Sequence, residues 1–245
     1  MVINGRPPAL GKPADYGQEI LKRRYRLTTS RLKLKDALLV DFGCGNGAQT
    51  AEFLNTGSKI IAVDVNHQQQ ELFVEYLLSQ RLQSHLLVAQ YDGGSLPIKS
   101  DSVDFVSSYD VLEHVVSESQ ALQEMHRVLK PGAELVMTVP NKGWIFETHG
   151  ARLPFLPWNR VPFFSWLPRG LHDRFANARI YKKRDIIRLL SENSFRVLEV
   201  SYVTAPMDVV KNQKLKKFLR SSIFRNDTTK LTFLATAIFV HCRKA

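Results

Sequence analysis

A short apolar run ends in an acid and flows into a glycine-rich turn: Ala37-Leu38-Leu39-Val40-Asp41-Phe42 leads into Gly43-Cys44-Gly45-Asn46-Gly47. Nothing else in the chain constrains its fold as tightly. An unalternating apolar run closed by glycine is the pattern of a strand buried on both faces, as in a parallel sheet. Glycines at 43, 45 and 47 permit a tight turn in which no side chain keeps a ligand from the backbone. Dinucleotide enzymes, nucleotide binders and plain tight turns all share such a turn, so it does not choose a ligand alone.

The pattern then repeats. A helix over 48–55 leads to a strand over 59–63, and a helix over 67–80 to a strand over 84–89. Next come a strand over 103–107, a helix over 117–129 and a strand over 134–139, entered through Lys130-Pro131-Gly132. Later the chain reads as a helix over 182–192, a strand over 195–203, a basic stretch over 206–225 and a last strand over 231–241. Strand alternating with helix predicts an α/β fold: crossover units building a parallel sheet with helices on both faces. Residues 1–35 read as an N-terminal piece, a loosely held Pro- and Gly-rich arm over 1–15 and a basic helix over 16–34. The main domain is expected over 36–245.

Residues 141–180 break the rhythm. Trp144, Phe146, Phe155, Trp158, Phe163, Phe164 and Trp166 are interleaved with Pro154, Pro157, Pro162 and Pro168. Prolines at that density forbid a continuous helix, and the aromatic content argues against disorder. The segment reads as an irregular, aromatic-rich lid over a binding site.

Three acids sharpen the choice of ligand. Asp64 ends the strand after the glycine turn, where a carboxylate can accept hydrogen bonds from both hydroxyls of a ribose; it also suits a helix cap. Asp41 precedes the first glycine, where a nicotinamide enzyme must receive a pyrophosphate; an acid there suits a cationic ligand. Asp92 precedes Gly93-Gly94-Ser95-Leu96-Pro97, so a carboxylate and free backbone N–H groups stand ready to read an adenine edge. Then follow Ser107-Ser108-Tyr109-Asp110-Val111-Leu112-Glu113-His114-Val115 and Arg127-Val128-Leu129-Lys130-Pro131-Gly132.

In order and spacing these segments resemble the class I S-adenosylmethionine-dependent methyltransferases, in particular the small-molecule group that acts on quinones and sugars. The resemblance covers residues 38–141. It implies a Rossmann-like, seven-stranded, mostly parallel sheet whose last strand runs antiparallel, and S-adenosyl-L-methionine as cofactor. It places Asp41, Gly43, Gly45 and Gly47 along the amino-acid part of the cofactor, Asp64 at the ribose, and Asp92 and Gly93 at the adenine, with Val65 also against the cofactor. Tyr109 is expected at the methyl-sulfonium end.

The acceptor half of the reaction is read from the residues alone. Ligands of an open α/β sheet sit outside the carboxyl ends of its strands, and residues 140–150 leave the fifth strand at that edge. Glu147 and His149 are candidates for a general acid/base pair, because methylating a hydroxyl removes its proton. An ordinary polar surface turn would look the same. His114 is a further candidate proton acceptor, although the family carries this element largely for packing. Arg152, Arg160 and Arg169 could hold a phosphate or carboxylate. No metal is expected, since Asp110 has no second carboxylate at ligand spacing and Cys44 and Cys242 stand far apart.

The net charge of +11 points to an anionic partner. The excess gathers over 20–35 and 211–225, leaving the middle near neutral. With the aromatic lid, it suggests a small-molecule or lipid-linked acceptor reached at an anionic membrane face. RNA methylation and a non-catalytic cofactor-binding scaffold are the alternatives; no RNA-binding module accompanies the charge, which makes nucleic acid the weaker partner. Nothing at the start resembles an export signal, and the paired expectation is a cytoplasmic protein, peripheral to the membrane at most.

Overall fold

The structure is a computed structural model and describes residues 9–80, 85–152 and 161–245. Eight strands form one sheet: β1 (Leu38–Phe42), β2 (Lys59–Asp64), β3 (Leu86–Gln90), β4 (Val103–Tyr109), β5 (Leu129–Pro140), β6 (Phe195–Thr204), β7 (Thr228–Thr229) and β8 (Ala235–Lys244). Their order is β3-β2-β1-β4-β5-β8-β6-β7. The first five run parallel, while β8 is antiparallel to both β5 and β6. The helices are α1 (Glu19–Thr29), α2 (Ala48–Phe53), α3 (His67–Gln80), α4 (Glu118–Val128), α5 (Arg169–Phe175), α6 (Lys183–Glu192) and α7 (Gln213–Ser221).

The expected Rossmann-like α/β sheet is present, with one strand more than the seven predicted. The addition is β7, two residues that pair Thr229 with Tyr202 and Thr228 with Val203 at the sheet's edge. So short a strand has no sequence pattern of its own, and pairing with β6 alone makes it. Leu39, Val40 and Phe42 of β1 are buried on both faces, as an unalternating run requires. One core cluster holds Val40, Phe42, Val106, Met125 and Val240; another, across the sheet, holds Leu39, Phe53, Ile60, Tyr109 and Phe239. Strand order reverses between β1 and β4, so their carboxyl ends open the crevice where such sheets bind ligands.

The described residues before 36 pack into the main domain. Helix α1 stops at Thr29, short of the expected 34, and the turn after it brings Leu32 and Leu34 into the core alongside Leu27. Arg23, 2% exposed, donates to the carbonyls of Thr204 (2.9 Å), Asn226 (3.0 Å) and Phe224 (2.5 Å). Arg24 pairs with Asp110, Arg26 with Glu19 and Asp227, and Arg31 with Glu199. Much of the charge at 20–35 therefore ties α1 to the domain and is not an open basic face.

The arm is held as well. Tyr16 donates to the Asn46 carbonyl (2.5 Å) and stacks on Tyr76, while Asn46 donates to the Ala14 carbonyl (3.2 Å). Ahead of them, the Ala9 carbonyl meets His114 Nδ1 (2.6 Å) and its N–H donates to the Asn177 carbonyl. Residues 9–16 thus cross the crevice at the ends of β1 and β4.

The insertion after β5 leaves and returns at one neck. The Lys142 N–H donates to the Tyr181 carbonyl, and the Tyr181 N–H to that of Pro140. Its described limbs touch at Phe146 with Pro162 and at Ala151 with Ala176. Pro154, Phe155, Pro157, Trp158 and Arg160 lie outside the described residues.

Candidate active site

The glycine turn is shaped by the protein's own packing. Gly47 caps α2 at φ +75°, and a Cβ there would lie 1.9 Å from the Phe73 ring on α3. Gly43, at φ +80°, leaves room in the same way for Val111. The missing side chains were expected to make way for a ligand. Instead they let α3 and the segment after β4 close on the turn.

Asp41 sits behind the turn, 2% exposed. Its Oδ2 accepts from the Thr50 hydroxyl (2.5 Å) and its Oδ1 from that of Ser107 (3.0 Å), joining β1 to α2 and β4. Burial pushes its carboxyl up to about 6 against the pull of those two bonds. A cation over the turn would favour the charged form, and the side chain itself lies beneath the turn, off its surface.

Asp64, at the end of β2, accepts from the Gly45 N–H with Oδ2 (2.7 Å) and the Asn66 N–H with Oδ1 (2.7 Å). It is partly exposed, and each oxygen keeps a lone pair for a diol. Beside it Val65 is 39% exposed and lies against Gly93, while Asp92 accepts from the Gly94 N–H (2.8 Å). These residues form an open shelf at the ends of β2 and β3, with an apolar wall and a carboxylate, as an adenine requires. Tyr109 does not share this surface. Its hydroxyl bonds that of Thr28 (2.6 Å) and its ring stacks against Phe53, so the expected place at the cofactor's sulfonium is taken back by the core.

Past β4 a polar cluster closes the other side of the crevice. Asp110 accepts from Arg24 and from Thr138 (2.9 Å). Although burial would raise its carboxyl, Arg24 and His149 hold it below the usual range. Glu113 is completely buried, and neither carboxylate oxygen has a hydrogen-bond partner among the described residues. Burial, with Asp110 adding, pushes it well up. His149 Nε2 lies 3.2 Å and His114 Nε2 4.0 Å from Glu113 Oε1. Burial lowers His114 to about 4 and lowers His149 too, leaving both imidazoles neutral at pH 7.

Glu147 and His149 do not form the expected acid/base pair. Glu147, 3% exposed, accepts from His172 Nε2 (2.7 Å) with one oxygen and from the N–H groups of Thr148 and His149 with the other. Burial would lower His172, but its bonds to Asp173 and Glu147 hold it above the ordinary value. Glu147 thus braces the insertion through α5, and His149 turns the other way. Two neighbouring polar residues on an irregular loop carry no periodicity that would show their side chains parting. Nor did the sequence single out Glu113, which only the fold isolates from its solvent.

The comparisons with known proteins bear on the same residues. Residues 40–137 match the family model described as a methyltransferase domain. A demethylmenaquinone methyltransferase of Lactobacillus johnsonii is 26% identical over 219 residues, 87% of this chain and 79% of that protein. Residues 40–137 are a methyltransferase domain of the class I S-adenosylmethionine-dependent kind. The bifunctional biotin biosynthesis protein of Cellvibrio japonicus is 31% identical over 112 residues, but the match spans only 21% of its length and 44% of this chain. A methyltransferase structure from Aquifex aeolicus shares the fold at a TM-score of 0.60, with 15% identity over 91% of this chain and 89% of that one.

The methyltransferase uses S-adenosyl-L-methionine, and the crevice fits it. An acid lies under the turn, a carboxylate with free lone pairs ends β2, and an apolar shelf follows. The cofactor supplies a methyl group already activated by its positive sulfur.

Proposed function

We propose that this methyltransferase delivers the methyl group to a hydroxyl or carbon of a small lipid-linked, anionic acceptor that it meets at an anionic membrane surface. The observation that carries the reading is α7. None of its residues is buried, and Leu215 and Phe218 are exposed beside Lys214, Lys216 and Lys217. Val209 and Ile223, nearby in the chain, are exposed too. Apolar and basic side chains sharing one solvent-facing helix suit an interface between headgroups and acyl chains. A relative named for demethylmenaquinone supports a small-molecule acceptor.

In this reading the backbone of the turn, with Asp41 beneath it, takes the amino-acid end of the cofactor. Asp64 takes the ribose, and Val65, Asp92 and Gly93 take the adenine. The acceptor comes from the insertion's side. An open cleft of about 710 Å³ between the insertion and α6 is lined by Lys142, Arg169, Lys182 and Arg188 against Asp173 and Asp185, a cationic excess that suits an acceptor's anionic group. The chain's own work is to align the attacking atom with the methyl carbon and to exclude water. The insertion and the crossing arm supply those walls.

Transfer of a radiolabelled methyl group to fractionated lipid, glycan and RNA extracts tests this. Label is expected in an anionic lipid fraction. Label in RNA alone would replace the acceptor assignment.

A further inference from the structure

Glu113 and His114 stand out because burial has left them with unused bonding capacity, and His149 Nε2 lies 3.2 Å from the same Glu113. A buried carboxyl group with no hydrogen-bond partner costs about 1–3 kcal/mol even when neutral, and both Glu113 oxygens lack one among the described residues, as does His114 Nε2, 4.0 Å from Glu113 Oε1. Both imidazoles are oriented from behind. His114 Nδ1 is held by the Ala9 carbonyl (2.6 Å) and His149 Nδ1 by the Thr148 hydroxyl (2.8 Å). The Ala9 carbonyl can only accept, so the His114 ring donates from Nδ1 and presents an Nε2 lone pair, the outer-shell arrangement of histidines that ligate metals.

From these contacts we infer that Glu113, His114 and His149 form a binding site for a divalent transition-metal ion, with zinc as the reference. One donor atom from each residue lies within 4.8 Å of the others. Two ligands bonded to a tetrahedral zinc ion are about 3.4 Å apart. The separations from Glu113 Oε1, 3.2 Å to His149 and 4.0 Å to His114, bracket that value. Two imidazoles and a carboxylate suit zinc and its neighbours better than magnesium or calcium, which favour oxygen. Three protein ligands leave a coordination position open.

The site joins two parts of the fold and the arm: Glu113 and His114 follow β4, His149 comes from the insertion, and Ala9 braces one ligand. Spacing along the chain pointed away from a metal because it weighed carboxylates near Asp110. The third donor arrives only when the insertion folds back. On the reading above, an ion here would meet the acceptor where the insertion faces the crevice. It would draw electron density from a bound hydroxyl and ease loss of its proton to solvent.

The test uses the full chain, stripped with chelator and titrated with zinc by calorimetry, then with cobalt, whose visible d–d absorption reports nitrogen ligands. About one equivalent of zinc is expected, with a cobalt spectrum of bound imidazole. Glu113→Gln, His114→Ala and His149→Ala should each weaken zinc at least about 100-fold. His67→Ala, at an exposed histidine, should change nothing. Binding of S-adenosylhomocysteine is measured on the same samples, so loss of the metal site and failure of the methyltransferase reading are told apart. Absent or non-stoichiometric zinc binding by the intact protein would overturn the site, as would variants that bind zinc unchanged. The wild-type cobalt spectrum decides the matter even where a variant fails to fold.

Discussion

At the scale of single residues, burial sets two measurable costs. Asp41 titrates at about 6 in the folded chain and near the ordinary carboxylate value when unfolded. Between those values the folded state holds a proton that the unfolded state has released. Stability of the unliganded protein therefore falls as pH rises through that window. Above it, the buried charge costs on the order of 3 kcal/mol. Asp41→Asn keeps partners for Thr50 and Ser107 and removes the charge. Thermal melts at pH 7.5 should show it about 1–3 kcal/mol more stable without ligand, while calorimetry shows weaker S-adenosylhomocysteine binding. Wild-type affinity should also drop as pH falls through about 6, and the variant's should not. A variant that is less stable would contradict this account. Glu147 makes the opposite case. Glu147→Ala strands His172 in the interior and should cost about 3–5 kcal/mol in urea denaturation. The folded fraction should keep its turnover, whereas a general base would lose turnover with stability intact.

At the scale of elements, the turn after β1 works only because α2, α3 and the β4 exit pack on it at once. Gly47→Ala would place a methyl group in the Phe73 ring at a positive φ. The conformational penalty is about 1–2 kcal/mol and overpacking adds about 1–3 kcal/mol. A double-mutant cycle with Phe73→Leu should show coupling above about 0.5 kcal/mol, the sign that the glycine serves the α3 contact. The element order was legible because each strand of β1 to β5 is locally apolar and bounded by turn residues. Strand β7 was not, having two residues and a single partner. The residues proposed for the cofactor half gather for a similar reason: Asp41, the glycines, Asp64 and Asp92 lie at the ends of neighbouring strands. The acceptor half is written in contacts between distant segments. His149 meets Glu113 only because the insertion closes on itself at Ala151 and Ala176, and Tyr109 faces α1 because strand alternation turns it from the crevice.

At the scale of the whole molecule, the net charge of +11 is not spread as the two basic stretches suggest. Around α1 the arginines are spent on Asp110, Glu19, Asp227 and Glu199. Around α7, Arg220 pairs with Asp208, but the three lysines have no ion-pair partner among the described residues. That leaves α7 as the place where charge meets exposed apolar surface. Each lysine near an anionic bilayer contributes about 1 kcal/mol at physiological salt, so replacing Lys214, Lys216 and Lys217 with alanine should weaken binding to phosphatidylserine vesicles about 100-fold. Leu215→Ser with Phe218→Ser removes the apolar share, and that loss should persist at high salt while the lysine contribution is screened away. The two sets of substitutions therefore separate a membrane surface from a merely anionic one. A nucleic acid partner would be lost with the lysines and with salt, and would not respond to Leu215 and Phe218 in this way. Retention on vesicles that neither set alters would remove α7 from the interface.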